Sequence, residues 1–176
     1  MSDDLARRYR MVRPCVRLSM PSIPRYLAVI RSALRCMSTQ EGFPEDTIDK
    51  LVLATDEALA NVIKHGYDSR PDGLVGVILR PIAGPGRKGL DIVILDRGRS
   101  IDPCTICGRD LADLRPGGLG VHIIRSVMDK VRYRRRSGGG MLLRMVKYCD
   151  APPDPSDKPG PAGAAATTAQ IAADGT

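Results

Sequence analysis

Three stretches of this chain hold residue types that could do chemistry together. The first, Asp56-Glu57-Ala-Leu-Ala-Asn61-Val-Ile-Lys64-His65-Gly-Tyr67, reads as helical. At about 100° per residue, Glu57 and Asn61 lie about 40° apart, Lys64 falls about 20° to the other side of Glu57, and Leu59 points about 200° away. A carboxylate, a carboxamide and an amine therefore share one face, although a solvated face with a Glu–Lys pair has the same spacing. The second stretch, Asp91-Ile-Val-Ile-Leu-Asp96-Arg-Gly98, is an apolar run ending in an acid and then a glycine. An acid at a strand tip can accept a hydrogen bond from an exocyclic amine such as that of adenine, and Gly98 would let a flat base approach the backbone. A simple strand-ending turn would look alike. The third stretch, Arg115-Pro-Gly117-Gly118-Leu119-Gly120-Val-His122, runs a glycine-rich turn into an apolar-periodic segment. Such a junction offers unpaired N–H groups and the positive end of a helix dipole to an anion. It lacks the Gly-Lys-Ser/Thr of a Walker loop and the strand and glycine spacing of a dinucleotide fingerprint.

The elements that must position these groups follow from periodicity and punctuation. Arg10 to Ser19 alternates and reads as a strand, with Pro14 marking a sheet edge. Pro24 to about Gln40 places Leu27, Ile30, Leu34 and Met37 on one helical face and stops at Gly42 and Pro44. Glu45 to His65 makes a second helix, with acids in its first turn, core positions Ile48, Leu51, Val52, Leu59, Val62 and Ile63, and Gly66 as its C-cap. Leu74 to Leu79 and Leu90 to Leu95 read as adjacent antiparallel strands across a Pro/Gly-rich connection. A loop from about Arg97 to Gly117 is long enough to be functional, and Leu119 to Val131 forms a third helix. Met141 to Tyr148 closes as a strand. This order predicts an α/β domain with a mixed sheet and helices on one face.

Composition narrows the classes of protein. With 176 residues, 43% of them apolar, the chain suffices for one core over residues 1–150. The Pro/Ala/Gly-rich residues 151–176 predict a disordered tail. Five scattered cysteines argue for a reducing compartment, and the Cys104-x-x-Cys107 pair lacks a second pair to complete a zinc site. No transmembrane run or signal-type start is present, so a cytoplasmic protein is expected. Net charge is +7, and before Asp150 the balance is 26 basic against 16 acidic residues, or +10, which favours anionic partners. The run Lys130-Val-Arg-Tyr-Arg-Arg-Arg136 is most simply a solvated strand or loop. Aromatic residues at 3% leave little for base stacking, so direct nucleic-acid binding is not expected.

In order and separation the three stretches resemble the GHKL superfamily of ATPases, and within it the anti-sigma-factor serine/threonine kinases. Glu57-xxx-Asn61-xxx-His65-Gly-Tyr67 is similar to the superfamily's N box, Asp96-x-Gly98 to its G1 box and Gly118-Leu-Gly120 to its G2 box. The likeness extends over most of residues 10–149. It implies a two-layer sandwich of Bergerat type with a mainly antiparallel sheet, and ATP held between the second and third helices under residues 99–117. It further implies that Glu57 is the general base toward a hydroxyl, Asn61 the Mg²⁺ ligand and Asp96 the acceptor for the adenine amine, with Gly98 at the base and Gly118 and Gly120 at the phosphates. These roles suit the chemistry, since Mg²⁺ favours oxygen ligands and phosphoryl transfer depends on positioning and charge neutralisation. Ser100 stands where many members carry a second glycine, and Met141 where many carry threonine. The implied function is ATP-dependent phosphorylation of an anti-anti-sigma (STAS-type) partner, with sequestration of a sigma factor and possible homodimerisation. The alternative is a stand-alone ATP-binding module that controls a partner by nucleotide-dependent docking without phosphoryl transfer.

Overall fold

The computed structural model describes residues 15–84, 87–103 and 119–149. Gly118, the Cys104/Cys107 pair, most of the long loop and the tail expected over 151–176 lie outside the described residues. The chain runs β1 (Val16–Pro21), a 3₁₀ turn (Pro24–Tyr26), α1 (Leu27–Gln40), α2 (Glu45–Asn61), a π turn (Val62–Gly66), β2 (Leu74–Gly84), β3 (Arg87–Leu95), α3 (Leu119–Val127), β4 (Lys130–Arg135) and β5 (Met141–Cys149).

The strands form one sheet in the order β1-β2-β3-β5-β4. Each neighbouring pair is antiparallel, whereas the sequence order suggests a mixed sheet. The difference arises at β5, which inserts between β3 and β4 and runs against both, so no parallel pair becomes adjacent. β1 lies at an edge, as expected. It stops at Val16 opposite Leu79, so Pro81 of β2 lies beyond its end, where a missing N–H costs no ladder bond to β1.

Alternation along the strands decides which face meets the helices. Leu90, Ile92 and Ile94 of β3 are buried in one core with Leu34 of α1, Ile48, Leu51 and Leu59 of α2, and Ile124 of α3. Asp91 and Val93 alternate with them and therefore face the other way. Gly42 ends α1 with φ of +83°, a conformation that favours glycine. Glu45 and Asp46 supply the acids of α2's first turn, favourable near the positive end of its dipole.

Several boundaries differ from those read in the sequence: β1 runs to Pro21 rather than Ser19, β2 and β3 extend through most of the expected Pro81–Gly89 connection, and α3 ends at Val127, which leaves Val131 in β4. The α-helical spiral of α2 ends at Asn61, and the Val62–Gly66 π turn follows, closed by Tyr67 N–H donating to the Val62 carbonyl at 3.1 Å. The 100° step therefore no longer holds at Lys64, whose side chain is exposed. Gly66 is not a left-handed cap, since the positive φ values fall on Asp68 (+51°) and Ser69 (+61°). The basic run of 130–136 contributes a full strand, β4, that pairs with β5 from Lys130 opposite Val146 to Arg135 opposite Met141.

Candidate functional site

Asp96 follows the last residue of β3 and is only 3% exposed. Its Oδ1 accepts hydrogen bonds from Gly98 N at 2.8 Å and Met141 N at 3.2 Å. Oδ2 has no partner among the described residues, which leaves one carboxylate oxygen for a ligand. Burial raises the carboxyl's pKa above its ordinary value, while the two backbone donors and the nearby Arg136 guanidinium pull it back. Arg136 also donates from Nη1 to the Asp96 carbonyl at 2.5 Å. The acid is thus held by β3's own turn, by the first residue of β5 and by the end of the basic run.

Gly98 meets a steric limit rather than a conformational one. A Cβ there would lie 2.4 Å from the Gly66 carbonyl oxygen, which instead accepts a hydrogen bond from Arg99 N at 2.8 Å. The π turn of α2 and the Asp96–Arg99 turn therefore lie backbone to backbone. Tyr67 fastens them from below, accepting from Arg97 N at 2.9 Å and donating to the Leu74 carbonyl at 2.6 Å. Gly140 is constrained twice over, with φ of +79° and a would-be Cβ 2.2 Å from the Asp96 carbonyl oxygen. Ser100 donates to the Gly140 carbonyl at 3.2 Å, which gives this departure from the family pattern a bond of its own.

A cavity of about 140 Å³ opens beside Asp96, between α2 and α3. Asn61, His65 and Gly66 line it from the end of α2, Val121 from α3, and Ile94, Tyr133, Met141 and Leu143 from the sheet. Asn61 and Asp96, 35 positions apart in the sequence, share this cavity. Glu57 and Asn61 also share a neighbour. A Cβ on Gly120, in the first turn of α3, would lie 2.6 Å from Glu57 Oε2 and 3.4 Å from Asn61 Nδ2. Of the residues expected at the site, Asn61 and Asp96 line the cavity; Glu57 and Gly120 lie beside Asn61 and Gly98 beside Asp96 without lining it, and Lys64 does not line it either.

Mostly apolar walls with a few convergent polar groups suit a flat heteroaromatic ligand with a polar tail. Among the described residues no group of three or more His, Cys, Asp or Glu could hold a metal ion. Asn61 nonetheless lines the cavity, and a carboxamide oxygen there would suit a Mg²⁺ that draws its other ligands from phosphates and water. Sequence reasoning missed Tyr133, Leu143 and Arg136. The signal for Tyr133 was the alternation inside Lys130–Arg136, where Val131 and Tyr133 are half-buried between exposed Lys130, Arg132 and Arg134.

An antiparallel sheet covered on one face by helices, with a buried strand-tip acid across a cavity from a helix-borne Asn, defines a nucleotide-binding α/β domain of the histidine kinase-like type. The chain belongs to the histidine kinase-like ATPase domain family, which it matches over residues 20–147. It is 28% identical over 142 residues to the serine-protein kinase RsbW of Bacillus subtilis, covering 76% of this chain and 84% of that protein. It has the same identity over 142 residues to RsbW of Staphylococcus aureus strain MRSA252, with 76% and 86% coverage. The fold is similar to that in the SiaB–SiaC complex from Pseudomonas aeruginosa, with a TM-score of 0.56, 18% identity and coverage of 82% of this chain and 97% of that one. It is also similar to the RsbU and RsbW domains of Rv1364c from Mycobacterium tuberculosis, with a TM-score of 0.51, 18% identity and coverage of 76% and 32%. Among the described residues no helix is long and apolar enough to cross a membrane.

Proposed function

We propose that this chain is a cytoplasmic ATP-dependent serine/threonine protein kinase that phosphorylates an anti-anti-sigma (STAS-type) partner and, when not engaged with it, sequesters a sigma factor. The observation that carries this reading is the convergence of Asn61 and Asp96 on one cavity, with Glu57 and Gly120 against Asn61. Relatives named serine-protein kinase support the transfer chemistry, and SiaB's assembly with SiaC supports a protein partner. Homodimerisation belongs to the same reading, and sedimentation velocity tests it.

In this reading Asp96 accepts the adenine amine through Oδ2, and Gly98 serves by letting the Asp96–Arg99 turn pack against the Gly66 backbone, where a Cβ would collide, so that the acid is held in place. Asn61 holds Mg²⁺, which neutralises phosphate charge when bound. Gly120 would give the phosphates access to the first turn of α3, since the leading N–H groups of a helix have no intrahelical partner, and the same role is proposed for Gly118. Glu57 takes the proton of the partner's hydroxyl, whose oxygen bonds to the γ-phosphorus as ADP leaves.

Labelled ATP tests the assignment with purified protein, Mg²⁺ and a candidate STAS-type partner. Label is expected on partner Ser or Thr. In Glu57→Gln, transfer should fall by about 10²–10⁴-fold, the scale of general-base catalysis, with ATP still bound. Full transfer in that variant removes Glu57 from the role of base. Tight ATP binding with no transfer by the wild type assigns the chain instead to nucleotide-dependent docking.

A further inference from the structure

The helices cover one face of the sheet, and the register fixes what the other face carries. One cross-strand row runs Arg17, Ile78, Val93, Arg144, Arg132, and the next runs Arg80, Asp91, Val146, Lys130. Arg134, opposite Leu142, adds a further cation at the β4 edge. The residues named in these rows thus place six cations and one acid on this face, and the acid is already engaged. Asp91 is 4% exposed, accepts from Arg144 Nε at 2.8 Å and lies 3.8 Å from Arg80. Arg17, Arg132 and Arg134 have no ion pair among the described residues.

The face is also concave. A basin of about 530 Å³ lies over β2, β3, β4 and β5, rimmed by Arg80, Lys130, Arg132 and Arg144, with Val146 and Tyr148 among its lining residues. Val93 and Val146 are 4% and 3% exposed although no helix covers them, because long basic side chains stand beside them. We propose that this helix-free face docks an acidic protein segment, one presenting Asp or Glu beside apolar side chains, at a surface separate from the Asp96 cavity.

Charge complementarity selects that occupant. The basin pairs cationic rim with aliphatic lining, which suits carboxylates set among apolar side chains better than a uniformly charged phosphodiester backbone. Among the described residues Tyr148 is the sole aromatic lining the basin, which leaves little stacking platform for bases. Two copies meeting face to face would bring their unpaired arginines together, so a second copy of this chain is disfavoured here.

The test uses the full chain and a fluorescent amphipathic peptide of about 20 residues carrying Glu and Leu on adjoining faces, with its Gln-for-Glu counterpart as reference. Anisotropy should show binding of the Glu peptide that weakens as salt rises, and at least about tenfold weaker binding of the Gln peptide. The double variant Arg132→Glu, Arg134→Glu should lose at least about tenfold in affinity for the Glu peptide, with unchanged ATP affinity and thermal midpoint. Equal binding of the two peptides overturns the proposal, as does unaltered binding by the double variant. So does a duplex DNA or an anionic vesicle that binds the same face more tightly than the Glu peptide, or a wild-type dimer that the double variant dissociates. Because ATP affinity is read separately, failure here leaves the kinase reading standing.

Discussion

Asp96 can be tested apart from its neighbours because its two carboxylate oxygens have different work. Oδ1 takes the backbone donors of Gly98 and Met141, and Oδ2, with no partner among the described residues, is the atom proposed to meet the adenine amine. In Asp96→Asn the amide oxygen can keep both backbone bonds, while the amide nitrogen replaces Oδ2 and presents a donor to an amine that is itself a donor. ATP affinity should fall by about 1.5–3 kcal/mol, or roughly 10- to 150-fold, in calorimetric titration. Stability moves the other way. Burial raises the Asp96 pKa in the folded state, so its contribution is fully present below the unfolded pKa and is lost as pH rises through the folded one. The difference in unfolding free energy between wild type and Asp96→Asn should therefore shift toward the variant across that window. A variant that keeps ATP affinity removes Asp96 from the base site, whereas a missing pH-dependent difference in stability removes the effect of burial on its carboxyl.

At the scale of elements, the site depends on how closely backbones approach, and two glycines separate the kinds of approach. The Cβ of Gly98→Ala would meet a carbonyl oxygen in the π turn, which cannot yield without moving α2 against the β3 turn. Urea denaturation should show a loss of about 1–3 kcal/mol together with weaker nucleotide binding. The Cβ of Gly120→Ala would meet side chains alone, the end of Glu57 at 2.6 Å and Asn61 Nδ2 at 3.4 Å, and these can rotate away. Its thermal midpoint should hold while phosphoryl transfer falls, and equal destabilisation by both variants would contradict this division. Asp96, Gly98 and the Glu57–Asn61 pair were legible in the sequence because each is a local pattern: a strand tip, a tight turn, and a one-turn helical spacing. The π turn was not, since no residue of Val62–Gly66 signals a wider spiral and the register change follows from packing against the Asp96 turn. Nor was the role of Arg136 or Met141 at Asp96, which depends on β5 pairing beside β3 across some 45 residues. The basic run concealed β4 because its charges outweigh its apolar alternation when the segment is read alone.

At the scale of the whole molecule, the cavity couples distant parts of the chain, since α2, the tip of β3, α3, β4 and β5 all line it. A ligand that binds there binds only the folded state and should stabilise the domain by mass action. At 100 times its Kd, ATP should add about 2.7 kcal/mol to unfolding. Ile92 provides the opposing perturbation, being fully buried on the central strand β3 with β2 and β5 on either side and the helices above. Ile92→Ala should cost about 2–5 kcal/mol through lost burial and the cavity left behind, a large share of a typical domain's stability. ATP at the same excess should offset about 2.7 kcal/mol of that loss, because the deleted methyl groups lie in the core and not in the cavity lining. The same ATP concentration should add only about 0.3–1.4 kcal/mol to Asp96→Asn, the range set by a 10- to 150-fold weaker Kd. Chemical denaturation with and without nucleotide measures all three quantities, and ATP protection of Asp96→Asn equal to that of wild type would place the nucleotide away from β3.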